Sequence, residues 1–173
     1  MITEIWKNSI RFIILVLLQT LIVKNIPLGA YFVPMPYLLF ILMLPFETMP
    51  MVVLFLSFFT GLAVDIFYDT QGVHASACVL MGYLRFYFLR LLSPREGYEV
   101  TEKPTVQFMG NTWFLSYAVP MLLVHHLFFF YLEEFGFDDF FFTLLKTLGS
   151  TLASFVFIYI IQFLFYRKDG VLA

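Results

Sequence analysis

Apolar residues fall into six runs, at about 10–26, 30–45, 51–67, 73–92, 113–132 and 144–166, separated by short clusters of proline, glycine and charged side chains. At 1.5 Å of rise per residue, runs near 20 residues match the thickness of a bilayer. The pattern predicts an all-α protein, an integral membrane bundle of six transmembrane helices in a single domain over residues 1–173. The first run follows a basic flank, as a signal peptide would. It ends in LIVKNIPLG without a small-residue cleavage pattern, so it reads as a retained helix. In the second run, the stretch Tyr37 to Pro45 is short for a crossing. Either it begins near Ala30, or it is a thin, tilted or partly broken helix with Pro36 in its first turn. Pro120 falls inside the fifth run, where a bilayer tolerates it with a kink.

Composition agrees with that pattern. Of 173 residues, 61% are hydrophobic and 13% charged, more apolar surface than a water-soluble domain of this length can bury. The net charge of -2 conceals an asymmetry. With six crossings, one face holds both termini, the PFETMP link and the loop 93–112, with Lys7, Arg11, Arg90, Arg95, Lys103, Arg167 and Lys168. The other face has only Lys24 and Lys146 against Asp69, Glu133, Glu134, Asp138 and Asp139. The positive-inside rule then makes both termini cytoplasmic, and Trp6 and Trp113 both fall at that interface. The charges of loop 93–112 are of mixed sign and no basic stripe exists, which excludes a nucleic-acid partner. The lone Cys78 rules out an intrachain disulfide. The acidic, phenylalanine-rich link EEFGFDDFFF has a composition that suits lying flat in the headgroups.

Candidate chemistry is confined to a few ionisable side chains. His74, Cys78, Met81 and Arg85 are spaced to share one helix face, with Arg85 about 16 Å along the helix from His74 and so near mid-membrane. A guanidinium there must find an acceptor, reach the interface, or face a wet cavity. An interhelical bond is the expected role, with ligand binding or partner sensing as the alternative. Asp65 and Asp69, four apart and near His74, invite acid/base or metal chemistry. Against that, Asp69-Thr70-Gln71-Gly72 reads as a turn and cap between helices. His125 and His126 point about 100° apart and cannot easily share a metal; one is expected to face the bundle. Gln19 and Gln162 should each reach a neighbouring helix, and the Thr, Ser and Gly residues opening the sixth run form a packing seam. No nucleophile stands at usable spacing from a base, and neither a cofactor nor a metal site is expected, so the chain reads as not an enzyme.

The stretch from Gly61 to Arg85 carries a resemblance. Gly61-Leu62, Asp65-Ile66-Phe67, Gly72, His74-Ala75 and Tyr83-Leu84 resemble the GLxxDxF, turn, G-x-(N/H)-A, YL pattern of the MreD family of rod-shape-determining proteins. Ser93-Pro94-Arg95-Glu96-Gly97-Tyr98-Glu99, Trp113-Phe114 and His125-His126 are similar to its Bacteroidetes-type branch. Length, six spans and a short second helix are similar along nearly the whole chain. The resemblance implies a non-catalytic scaffold subunit of the cell-elongation machinery in the bacterial inner membrane, supporting peptidoglycan synthesis and cell shape. It also implies partners: an MreC-like single-span protein and, through it, a RodA-type glycosyltransferase, its penicillin-binding transpeptidase and MreB. It implies, too, a fold similar to the substrate-binding subunits of energy-coupling-factor transporters. It assigns no catalytic residue. Asp65, Asp69, His74, Arg85, His125 and His126 are therefore candidates for a polar cavity or partner-facing cluster on their own chemistry. Membrane lipids are expected neighbours, and a homo-oligomer is compatible with the sequence.

The competing reading is a substrate-binding subunit of an energy-coupling-factor-type transporter. Such subunits are similar to one another in gripping their partner with an Ala-x-x-x-Ala-type surface on the first helix. IRFIILVLLQTLIVKNI contains neither alanine nor glycine, which favours the scaffold.

Overall fold

A computed structural model of the chain describes residues 2–99, 102–135 and 139–165, with side chains from Trp6 onward. Asp138, Arg167 and Lys168 of the charge pattern, and Tyr166 at the end of the sixth run, lie outside these residues. Helix α1, Ile2–Leu17, continues through a widened turn, Leu18–Ile22, and a tightened one, Val23–Asn25. After an extended stretch, a tight turn at Pro36–Leu38 leads into the one-turn helix α2, Leu39–Leu42. There follow α3, Pro50–Tyr68; α4, Val73–Leu91; a short α5, Val106–Met109; α6, Asn111–Glu133; and α7, Phe140–Phe165. No strand occurs among the described residues.

Among the described residues, four helices are long and apolar enough to cross a membrane: Trp6–Asn25, Pro50–Tyr68, Asn111–Glu133 and Phe140–Phe165. Helix α4 has the length, but His74, Ser76, Arg85 and Arg90 dilute its apolar content and it is not among the four. The second apolar run takes the broken form of its two expected alternatives. It is not a helix over 30–45: the backbone is helical only from Pro36, in the first turn, to Leu42, about 10 Å of rise against the roughly 30 Å of a hydrocarbon core. Met35 and every residue from Tyr37 to Leu44 are buried. This run is apolar because it is the centre of the bundle, wrapped by the long helices, and hydropathy does not distinguish a core from a lipid face.

Contacts at the helix ends fix the chain's course. Lys24, at the end of the first helix, donates its Nζ to Phe67 O and lies 4.9 Å from the Tyr68 ring, so α1 and α3 finish at the same end and run parallel. The residues between Asn25 and Pro50 therefore return through the bundle from that end to the other. Helix α4 runs back beside α3 in a tight hairpin. A side chain at Gly61 would collide with the backbone of His74 and Ala75, and one at Gly82 would meet Ser57. Ser57 and Gly61, four apart, are the small residues that let the two helix axes approach. At the far end of α4, Tyr98 Oη donates to Leu89 O at 2.8 Å and Trp113 Nε1 to Leu92 O at 3.2 Å, satisfying carbonyls that the helix leaves open. Tyr98 stacks on Phe46, with centroids 4.0 Å apart, and Trp113 packs edge-on against both rings.

Helices α6 and α7 pair next. Lys146 Nζ lies 3.0 Å from Glu133 Oε2 and 3.7 Å from Glu134 Oε1, closing one end of that pair. At the other end, Gln162 Oε1 accepts the Val106 N–H at 2.8 Å, and Gln107 Nε2 donates to Gln162 O. The α7 seam of Thr143, Thr147, Ser150, Thr151 and Ser154 is buried, and its Ser150 and Ser154 receive the extended chain at Tyr31 to Met35. A side chain at Gly149 would strike Tyr31 O.

Because Gly61 sits directly on the α4 backbone, Gly61→Leu should separate the hairpin and lower stability by about 3 kcal/mol or more. Leu62→Ile, on the neighbouring half-buried position, should change it by less than about 1.5 kcal/mol. Thermal melts of the two variants in detergent check this; equal midpoints would remove the close-approach account of the hairpin.

Candidate functional site

Asp65 is the last buried residue of α3, and its carboxylate is spent entirely on the start of α4. Oδ1 accepts the His74 N–H at 3.0 Å and the Thr70 hydroxyl at 2.6 Å, and Oδ2 accepts the Ala75 N–H at 2.9 Å. The residue at the helix boundary, Gly72, has φ +90° and no side chain with which to cap, so the cap comes from the preceding helix. A carboxylate at the positive end of α4, holding two backbone donors, is favoured by charge as well as by hydrogen bonding. Asp69 is exposed, in the left-handed conformation (φ 55°) that ends α3, and takes no part in the buried cluster. The two carboxylates that share a sequence spacing thus have separate roles, one a cap and one a turn.

The imidazoles gather around Tyr37. Its hydroxyl lies 2.9 Å from His74 Nδ1 and 3.4 Å from His125 Nε2, and Cys78 Sγ is 3.7 Å from both Tyr37 Oη and His125 Nε2. Asp65 bonds the backbone of His74, not its ring, so no carboxylate–imidazole relay forms. His74 Nε2 and His125 Nδ1 are buried without a hydrogen-bond partner, and both rings pack on Phe129. His126 belongs to a different chain of bonds. Its Nδ1 lies 2.7 Å from Leu122 O and must carry the proton, so Nε2 accepts from Ser154 Oγ at 3.0 Å. Ser154 Oγ in turn accepts the Met35 N–H at 2.8 Å. The adjacent histidines therefore face two different neighbours, and among the described residues no group of His, Cys, Asp and Glu is arranged to hold a metal.

Arg85 lies apart from the histidines, 2% exposed. Its Nε donates to Tyr117 Oη at 3.0 Å, while Nη2 donates to Leu44 O and reaches Pro45 O at 3.5 Å. Tyr117 Oη passes a bond on to Leu42 O at 3.1 Å, and Arg11 Nη1 lies 3.4 Å from Met43 O. Two guanidinium groups and a phenol thus receive the carbonyls at the end of α2, where the helix dipole is negative. Outside the spanning helices, burial raises the Tyr98 phenol above its ordinary value, with the Arg85 charge acting in the opposite sense.

The six candidates consequently do not form one cluster. His74 and His125 meet, Asp65 touches His74 through the backbone, His126 binds Ser154, Arg85 serves α2, and Asp69 stays outside. Tyr37 and Tyr117, the hydroxyls that join these groups to the central segment, were not singled out by sequence. Their signal is a phenol inside an apolar run, which must find a partner when buried. Every bond named is to backbone, phenol, hydroxyl, thiol or imidazole.

The fold and this polar core define an all-helical membrane protein. Comparisons with protein-family models, with curated proteins and with solved structures found no match for the chain.

The Asp65 cap has a measurable consequence. Asp65→Asn keeps one acceptor but turns an amide N–H2 towards backbone donors, and should destabilise the protein by about 2 kcal/mol. Asp69→Asn, equally able to adopt a left-handed turn, should be within about 0.5 kcal/mol of wild type. Denaturant titration of both variants followed by circular dichroism decides the point, and a similar loss for each would refute the assignment.

Proposed function

We propose that the chain is a non-catalytic scaffold subunit of the bacterial cell-elongation complex, a six-crossing inner-membrane protein of MreD type. In this reading both termini are cytoplasmic, and the protein docks an MreC-like partner and, through it, a RodA-type glycosyltransferase with its penicillin-binding transpeptidase. The observation that carries the proposal is that the residues of the resemblance act together. Gly61 sets the close approach of α3 to α4, Asp65 caps α4, Gly72 makes the turn, and His74 and Ala75 supply the capped N–H groups. A motif in which each polar member is consumed by architecture fits a protein that acts through its surface. Of the remaining members, Ile66, Phe67 and Tyr83 are exposed on the same hairpin, where a partner's helix can meet them. The count of six takes the four long apolar helices, α4, and the return of the chain between Asn25 and Pro50 as crossings. The end bearing Lys7, Arg11, Arg90, Arg95 and Lys103 then faces the cytoplasm.

Affinity purification from mild detergent should recover MreC-like and RodA-type proteins, and Tyr83→Ala combined with Ile66→Ala should reduce that recovery several-fold while leaving the melting temperature unchanged. Recovery of an ATPase module with a small metabolite instead would shift the assignment to the transporter class.

A further inference from the structure

We infer that the cleft between α3 and α4 at Arg85 is a binding site for a phosphate-monoanion group, of the kind carried by an anionic phospholipid. The inference is independent of the scaffold reading. A cavity of about 240 Å³ opens beside Arg85, walled by Arg90, Thr48 and Ser93 on its polar side and by Val53 and Phe86 on its apolar side. Two guanidinium-bearing and three hydroxyl-bearing side chains line it, with no carboxylate among the lining residues.

Arg85 is the decisive group. Its Nε and Nη2 are engaged by Tyr117, Leu44 and Pro45, all neutral, and among the described residues no Asp or Glu lies within ion-pair distance. A guanidinium has five N–H donors, so the pair on Nη1 is left over on a side chain that lines the cavity. A buried cation whose protein partners are all uncharged still carries its desolvation cost, and an anion arriving in the cavity offsets it. Arg90, on the exposed side of the same cavity, adds a second positive charge, which matches a phosphate better than a single donor does.

The apolar wall selects the form in which the phosphate arrives. Arg85 is six residues before the end of α4, about 9 Å of helix, so a headgroup bound there draws its attached chain alongside Phe86, which is half exposed at 50%. A basic pocket between helices near the end of a membrane bundle is a setting in which anionic headgroups are held. Soluble phosphate shares the headgroup chemistry but gains nothing from Val53 and Phe86.

The test uses the full chain, purified in mild detergent and stripped of lipid, with melting temperature read at low salt. Phosphatidylglycerol should raise the midpoint by roughly 5 °C at saturating concentration. Phosphatidylcholine should give less than a third of that shift. Arg90→Gln, an exposed position that leaves the fold intact, should remove at least half of the phosphatidylglycerol effect, whereas Arg95→Gln, outside the cavity, should keep all of it. A shift of equal size with inorganic phosphate would support the site and assign it to a soluble ligand. Equal shifts from both lipids without one from phosphate, or full retention of the phosphatidylglycerol shift by Arg90→Gln, would overturn the proposal.

Discussion

The structure depends on carrying an irregular stretch of backbone through the middle of a helix bundle. Between Asn25 and Pro50 the chain is buried from Pro34 to Leu44 and helical only from Pro36 to Leu42, so the backbone groups flanking that short helix need partners from elsewhere. Inside a membrane an unsatisfied backbone group costs several kcal/mol, and such backbone persists only where protein supplies the missing bonds. Here the long helices supply them. From α7, Ser150 and Ser154 accept the N–H groups of Val33 and Met35 at 2.9 and 2.8 Å. From the widened turn that continues α1, Gln19 reaches Pro34 O while also holding Tyr68 Oη at 2.7 Å. Tyr117 of α6, Arg85 of α4 and Arg11 of α1 take the carbonyls at Leu42, Met43 and Leu44. Proline at 34 and 36 lightens the task by removing two donors altogether.

That constraint accounts for where the polar side chains are. A serine or glutamine in a lipid-facing helix has no reason to be retained, whereas one facing an open carbonyl or amide is worth the removal of a large penalty. The α3–α4 hairpin follows the same logic. Gly72 allows the left-handed turn but has no side chain for the exposed N–H groups of α4, so Asp65 reaches across. The close approach at Gly61 brings the carboxylate within reach, and the cap in turn holds the helices together. Each feature is stable because the other is present.

Much of this was legible in the sequence, and the parts that were not share one cause. The long helices follow the apolar runs closely, because bilayer-length hydrophobicity and Pro or Gly at the ends are local signals. The run at 30–45 looked like a span because Tyr37 to Leu44 is as apolar as a lipid-facing helix, though it is buried on all sides. That Arg85 needs an acceptor is a sequence-level deduction. That its acceptors are Leu44 and Pro45 depends on α2 ending there, which no helical periodicity encodes. Asp65 and Asp69 share a spacing, but burial separates them. The 100° step already separates His125 from His126 in the sequence; what it does not show is that both are buried, each with its own partner.

The choice of arginine at position 85 bears on both its structural and its binding role. A lysine has a single ammonium, and turning it towards Leu44 O would leave Tyr117 without its charged donor and direct nothing into the cavity. The guanidinium is a rigid planar fork whose edges point different ways. Nε and Nη2 close the end of α2, which leaves the Nη1 hydrogens of a side chain that lines the cleft, so an anion there need not compete with the carbonyls for the same hydrogens. Binding at that edge would withdraw no bond from the central segment and would instead neutralise the charge that the segment's carbonyls only partly compensate. The cleft and the fold are then stabilised together, through one side chain.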